Sequence, residues 1–347
     1  MDDKQRFTWQ CPAPQQQSKI SMAHGGGGKL MHDLIHNAFI PAWDNPILQQ
    51  NSDSAALGVG KTKLAFTTDS YVVQPLFFPG GDIGSLAVNG TVNDLAVRGA
   101  RPLYLSVAMI LEEGLEVETL FQIVESMRKA ANDANVQIVT GDTKVVDKGS
   151  GDGIFVNTSG IGIIENDLDV APKSICDKDV IIVSGDVGRH GIAIMAVREG
   201  LRFESTIVSD CAAFANVTQQ LLEASIEIHC MRDLTRGGLA TALIEIAQAA
   251  NKGIHITETS VPVDEGVRGA CEILGLDPLY TANEGRFVCI VPQKDAQHTL
   301  QILQQYNERA CVIGEVEEDG CGLQISSCLG VKRIARMLSG TQLPRIC

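Results

Sequence analysis

Three observations predict a two-domain α/β (α+β) protein with mixed sheets flanked by helices. The chain is long, β-branched runs alternate with helical patterns, and the alternation restarts after a polar break. With 347 residues, 44% of them apolar, there is material for two cores of ordinary size. In the first series "KLAFTTDS" reads as a strand, "SLAVNGTVNDLAVRGA" as a helix and "LYLSVAMIL" as a strand. "VETLFQIVESMRKAANDA" then reads as an amphipathic helix, and "VQIVTGDTKVV" and "IFVNTSGIGII" as strands. The polar segment "DLDVAPKSICDKD" interrupts this pattern and marks the boundary. A second series follows: the strand "DVIIVSGDVG", helices at "GIAIMAVREG" and "FANVTQQLLEAS", and the strand-to-helix motif "RDLTRGGLATALIEIAQAA". It closes with the strand "RFVCIVP", the helix "AQHTLQILQQY" and the strand "CVIGEVE". The expected division is an N-terminal extension (1–20), a first domain (21–165), a second domain (175–335) and a flexible tail (336–347).

A formal charge of −14, with no run among the 28 basic residues, argues against a nucleic-acid surface. No apolar stretch approaches the roughly 20 residues that span a bilayer, and the N-terminus "MDDKQRFTWQ" opens with acids, unlike a signal peptide. A cytoplasmic protein is expected. The ten cysteines include no C-x-x-C pair, and the internal ones read as small buried hydrophobes. Cys347 differs. It ends the tail "MLSGTQLPRIC", and nine residues beyond Leu338 span about 30 Å when extended, so the tail is an arm able to reach a cleft in this chain or another.

Gly25, Gly26, Gly27 and Gly28, followed by a helix from Lys29, suit phosphate cradling by backbone N–H groups, and equally suit a flexible linker. "AALGVGKT" imitates a phosphate loop, but Ala55 stands where glycine is required and a strand follows; it reads as a turn. Asp69, Asp94 and Asp142 lie near strand ends or in a helix, flanked by small residues. Hard cations such as Mg²⁺ take carboxylate oxygens alongside substrate phosphates, so these three are the expected metal ligands of a nucleotide site. Asp233, Arg236 and the Gly237–Gly238 pair form a polar junction at a helix start, favourable to an anion or simply a capped helix. Glu284 has the type of a general base, and Lys144 that of a group neutralising charge on a reacting oxygen. His24 and His190 fit proton transfer or hydrogen-bonded structure.

Together "AHGGGGKLM", "TTDSYVVQPLFFPGGDIGSLAVNGTVNDLAVRGA", "VTGDTKVV", "SGDVGRHGIAIM", "RDLTRGGLATAL", "ANEG" and "LPRIC" resemble the HypE family of [NiFe]-hydrogenase maturation factors, from about residue 20 onward. That family belongs to the aminoimidazole ribonucleotide synthetase and selenophosphate synthetase superfamily. The resemblance implies a two-domain synthetase-like architecture that pairs as a homodimer through its N-terminal domain. It also implies that Cys347 is the substrate: a HypF-type carbamoyltransferase loads it, and ATP-dependent dehydration yields a thiocyanate. The cyano group then passes to iron on a HypC and HypD assembly. On this pattern Asp69, Asp94 and Asp142 hold Mg²⁺ and ATP. Gly25 to Gly28, Lys29 and Asp233 bind nucleotide, Glu284 is the base and Lys144 polarises the amide. Two alternatives stay open: a related enzyme phosphorylating a free small-molecule amide or selenide, and a non-catalytic carrier or scaffold.

Overall fold

A computed structural model describes residues 19–43, 45–50, 52–201, 206–318, 320, 322–340, 343 and 345–347. Nearly all of the N-terminal extension, Cys11, Cys321 and Pro344 lie outside the described residues. After a 3₁₀ turn at Met22–Gly25, helix α1 (Lys29–Leu34) runs through a π-helical stretch, Ile35–Phe39, into α2 (Ile40–Trp43). The first sheet follows, made of β1 (Ala55–Val59), β2 (Thr62–Tyr71), β5 (Arg101–Glu112), β6 (Gln137–Val146) and β7 (Ile154–Ile164), in the order β1-β2-β7-β5-β6. A small hairpin of β3 (Phe77–Phe78) and β4 (Gly81–Asp82) leads into helix α3 (Ile83–Val97), and α4 (Val117–Asp133) connects β5 to its parallel neighbour β6.

Helix α4 is amphipathic: Ile123, Met127, Ala130 and Ala131 are buried, at the i, i+4, i+7, i+8 spacing of one helical face. Nearly every residue of helix α3 is buried, the polar Asn93 and Asp94 among them, so it forms the spine of the molecule. Its start is a capping box, with the Asp82 carboxylate accepting from Gly84 and Ser85 N–H at 2.7 and 3.1 Å. Leu86 is fully buried on this helix, and truncation to Ala would cost about 2–5 kcal/mol.

The second sheet is built from β8 (Val180–Val183), β9 (Cys230–Asp233), β10 (Gly253–Thr257), β11 (Phe287–Val291), β12 (Cys311–Glu317), β13 (Gly322–Ser326) and β14 (Lys332–Ile334). Its order is β14-β13-β10-β12-β8-β11-β9, parallel only between β10 and β13. Helices α5 (Arg189–Arg198), α6 (Ala215–Glu223), α7 (Gly238–Ala250), α8 (Glu265–Leu274) and α9 (Gln293–Tyr306) accompany it. Both sheets mix parallel and antiparallel pairs, as expected. Asn93 of α3 stitches the two layers, accepting from Phe214 N–H and donating to the Ala212 carbonyl, both at 3.0 Å. Residues of both layers therefore share one core.

Two expectations change. "AALGVGKT" is not merely a turn: Ala55–Val59 is strand β1, paired antiparallel with β2. Gly60, at φ +62°, supplies the left-handed residue of the hairpin turn, and a strand rather than a helix follows, which removes the phosphate-loop geometry. Cys176 and Cys328 are exposed rather than buried, because both lie outside the strands that bury Cys230 and Cys289.

A carboxylate cleft that seats the C-terminal segment

Strand alternation places Asp69 on the face of β2 that meets α3. Its cross-strand partner Thr158 is buried, and the Thr158 hydroxyl donates to the Ala87 carbonyl of α3. Asp94 on α3 faces this side too and accepts from the Thr67 hydroxyl at 2.7 Å. From the second sheet, Asp233 ends β9 and Glu284 lies in the loop before β11; both are buried. Arg232 reaches across to Asp53, 3.1 Å away, and also holds Glu245 at 2.7 Å. Arg236 lies 3.9 Å from Asp69.

The carboxylates of this cleft stand close together and repel one another. Burial first, then mutual repulsion among Asp53, Asp69 and Asp233, raises Asp94 well above the usual carboxylate range. Burial and neighbouring Asp53 do the same to Asp233, and burial with Asp233, Asp210 and Asp69 to Glu284. The Glu284 Oε1 and Asp53 Oδ2 atoms are buried with no hydrogen-bond partner. Oxygen donors that repel one another and lack partners fit a hard divalent cation.

The Glu284 loop is pinned by one acid. Asp210 Oδ2 accepts from the N–H groups of Glu284 and Gly285 at 3.2 and 3.0 Å, and its Oδ1 accepts from His190 N–H at 3.1 Å. A Cβ at Gly285 would collide with the Asp210 carbonyl, so glycine is required for this approach.

The tail is seated rather than free. The Cys347 carbonyl accepts from Val72 N–H and the Arg345 carbonyl from Gln74 N–H, each at 3.1 Å. The carbonyl of Ile346 accepts from His190 Nε2 at 2.6 Å, and Arg198 Nη2 donates to the Arg345 carbonyl at 2.7 Å. Ile346 and Leu343 are buried, while Arg345 pairs with Asp152 at 3.1 Å. Cys347 itself is half-buried, contrary to an exposed tail thiol. Burial pushes its thiol up; Arg236 opposes this, and Glu284, Asp69 and Asp233 add to it. Arg236 in turn holds its proton more tightly, chiefly because of Cys347.

The glycine run touches this seat. Gly27, at φ +73°, packs so close to Arg236 that a Cβ would lie 2.7 Å from the Arg236 Cβ, and a Cβ on Gly28 would lie 2.5 Å from the Leu338 carbonyl. Lys29 N–H donates to that carbonyl at 2.8 Å. Gly27 and Gly28 also border a cavity of about 330 Å³ with His32, His36, Arg232 and Glu245. Gly25 and Gly26 belong to the turn before it. His24 bonds locally to Ser21 at 3.0 Å.

Asp142 and Lys144 stand elsewhere. Asp142 pairs with Ala108, which pairs with Asn157, which pairs with Ser70, so it lies on the face of the sheet opposite Asp69. It is also three strands away, about 14 Å at the usual spacing. Lys144 Nζ lies 2.7 Å from Asp142 Oδ2, both side chains exposed. The same outer face carries exposed Phe66, Tyr104, Ile110 and Ile161.

Comparisons with known proteins agree with this architecture. Residues 51–164 match the N-terminal domain of AIR synthase related proteins and residues 177–325 their C-terminal domain. The carbamoyl dehydratase HypE of Rhodobacter capsulatus is 50% identical over 334 residues, 95% of this chain and 98% of that one. The chain belongs to the carbamoyl dehydratase HypE family. A crystal structure of a HypE–HypF complex superimposes with a TM-score of 0.84 at 44% identity, covering 88% of this chain and 99% of that one. A HypE structure in complex with ATP does so with 0.81 at 47%, covering 92% and 98%. The expected fold, family and enzyme class are thus those of HypE, an ATP-dependent hydrogenase-maturation dehydratase.

Within this HypE fold the sequence reading missed Asp53, Asp210 and the tail contacts of His190 and Arg198. "NSDSAAL" carries no helical or strand signal at Asp53; only the fold brings it to Arg232.

Proposed function

We propose that Cys347 is this enzyme's own substrate and that the seat described above is where it is dehydrated. The observation that carries the reading is the seating of residues 345–347 by His190, Arg198 and the Val72 and Gln74 N–H groups, beside Arg236 and the buried carboxylates. In this reading residues 21–165 hold ATP and pair with a second copy. Residues 175–335 supply the base and, with Val72 and Gln74 of the first domain, the tail seat, and residues 336–347 form the arm.

The arm first leaves its seat so that a HypF-type carbamoyltransferase can place a carbamoyl group on sulfur. When the arm returns, His190, Arg198 and the N–H groups of Val72 and Gln74 hold its main chain. ATP supplies the phosphoryl group that makes the carboxamide oxygen a leaving group. That oxygen takes the γ-phosphoryl as ADP departs and one N–H proton passes to the base; the C–O bond then breaks, the second N–H proton leaves with the departing phosphate, and the C≡N bond forms on the sulfur-bound carbon. Glu284 accepts the proton: its raised proton affinity and uncommitted Oε1 suit a general base. Asp69, Asp94 and Asp233, with Asp53 beside them, would hold Mg²⁺, which neutralises phosphate charge. Gly25 to Gly28 and Lys29 line the phosphates, and Arg236 balances developing negative charge.

A second copy covers the apolar face of Phe66, Tyr104, Ile110 and Ile161, and brings its own Asp142 and Lys144 to the nucleotide and the amide. This makes the active unit a homodimer. The cyano group is delivered to iron on a HypC and HypD assembly. The setting is cytoplasmic; among the described residues no helix is long and apolar enough to cross a membrane.

Intact mass spectrometry tests this. Incubation with a HypF-type enzyme, carbamoyl phosphate and ATP should add about 43 Da to the peptide ending at Cys347, and further Mg·ATP should remove about 18 Da. ATP consumption with a free small molecule and an unmodified Cys347 would instead favour a small-molecule phosphorylating enzyme. No ATP consumption under any loading condition would favour a scaffold.

A further inference from the structure

A second constellation lies at the other end of β9 from Asp233, about 13 Å away at strand rise. The turn Cys176–Asp179 opens β8, and His229 immediately precedes β9. Lys178, at φ +67°, folds this turn back so that Cys176 N–H donates to Asp179 Oδ2 at 2.7 Å. One thiol sulfur, one imidazole nitrogen and one carboxylate oxygen, from Cys176, His229 and Asp179, lie within 4.8 Å of one another. Asp179 is buried and Cys176 exposed, so the group has a fixed floor and an open side.

We propose that Cys176, Asp179 and His229 bind a borderline divalent transition-metal ion of the Zn²⁺ or Co²⁺ type. Three observations carry this. The donor set is sulfur, nitrogen and oxygen, the mixture that such ions take, whereas Mg²⁺ demands oxygen. The His229 ring is already oriented, with Nδ1 2.6 Å from Asp179 Oδ2 and Nε2 3.3 Å from Glu227 Oε1. With Nδ1 as the ligand, Glu227 receives the Nε2 proton, the outer carboxylate that metal-bound histidines commonly have. Glu227 is in turn fixed by Lys294 at 2.6 Å. Metal binding displaces the proton shared by His229 and Asp179 and the thiol proton of Cys176 to solvent. Three protein donors leave a fourth position for water or for a group from a partner.

The test uses the full-length protein, stripped of metal and titrated with Co²⁺. Wild type should develop a thiolate-to-cobalt charge-transfer band that saturates near one equivalent and is displaced by Zn²⁺. Cys176→Ser, a near-isosteric change at an exposed position, should abolish the band, and Cys347→Ala should keep it. Glu227→Gln should weaken binding about 10–100-fold. No band at saturating Co²⁺, or a full band in Cys176→Ser, overturns the site: the first leaves a metal-free ion pair, and the second assigns the cobalt to another thiol.

Discussion

His190 Nε2 donates to the Ile346 carbonyl at 2.6 Å, while the same residue's N–H donates to Asp210, the acid that also holds Glu284. The tail seat and the base loop are therefore two ends of one hydrogen-bonded unit. Nδ1 accepts from the Ser209 hydroxyl at 2.8 Å, which fixes the ring with its proton on Nε2.

Replacing His190 by Phe keeps a ring against Phe78 but removes the donor to the tail. One hydrogen bond is worth about 1 kcal/mol, so the dehydration rate of the loaded tail should fall roughly 5- to 10-fold, with loading by the carbamoyltransferase unchanged. His190→Gln, which offers an amide donor, should recover part of the loss. Single-turnover mass spectrometry separates the two steps. Equal slowing of loading and dehydration would count against a positioning role.

Glu284→Gln removes a base while preserving shape. The expected outcome is accumulation of the carbamoylated tail, with dehydration slowed about 10²- to 10⁴-fold. Dehydration at the wild-type rate would remove Glu284 from the mechanism.

The carboxylate cluster predicts a pH-dependent response to Mg²⁺. Burial and like charges raise Asp94, Asp233 and Glu284 in the folded protein. Below about pH 4 both folded and unfolded states are protonated. Above it the unfolded chain ionises first, so stability of the metal-free protein falls as pH rises toward the raised folded values. A cation at about 100 times its dissociation constant adds about 2.7 kcal/mol. The Mg²⁺-induced rise in thermal midpoint should be larger at about pH 8 than at about pH 5.5, because the ligands must be ionised. A gain that shrinks with rising pH would place the cation elsewhere.

Asp69 and Lys144 on opposite faces of one sheet predict complementation between copies. Asp69→Asn and Lys144→Met should each be inactive alone. Mixed after dissociation, half the dimers are hybrids with one intact site of two, so about a quarter of wild-type dehydration should return. No recovery would put Lys144 to work within its own chain, or not at all.

Much of the fold was legible because its signals are strong: α4 shows a clear helical stripe, and β8 and β11 are short β-branched runs. Strand β1 was not, since Ala, Gly and Leu give no alternation and its pairing with β2 supplies the order. Asp69 and Asp94 were legible as acids among small residues, Asp233 as part of a polar strand-to-helix junction, and Glu284 as a carboxylate beside a glycine. Asp142 looked the same, and only strand register reveals that it faces the other way. The docking of residues 345–347 left little trace in sequence, because much of it is main-chain hydrogen bonding.

That backbone grip carries a kinetic consequence. The cradle holds carbonyls at Arg345, Ile346 and Cys347 through hydrogen bonds that do not involve the sulfur, so thiol, carboxamide and nitrile forms of the tail share this main-chain anchoring. The latch cannot by itself tell a finished tail from an unfinished one. Directionality must then arise outside it, from the irreversibility of nucleotide cleavage and from whichever partner captures the undocked arm first.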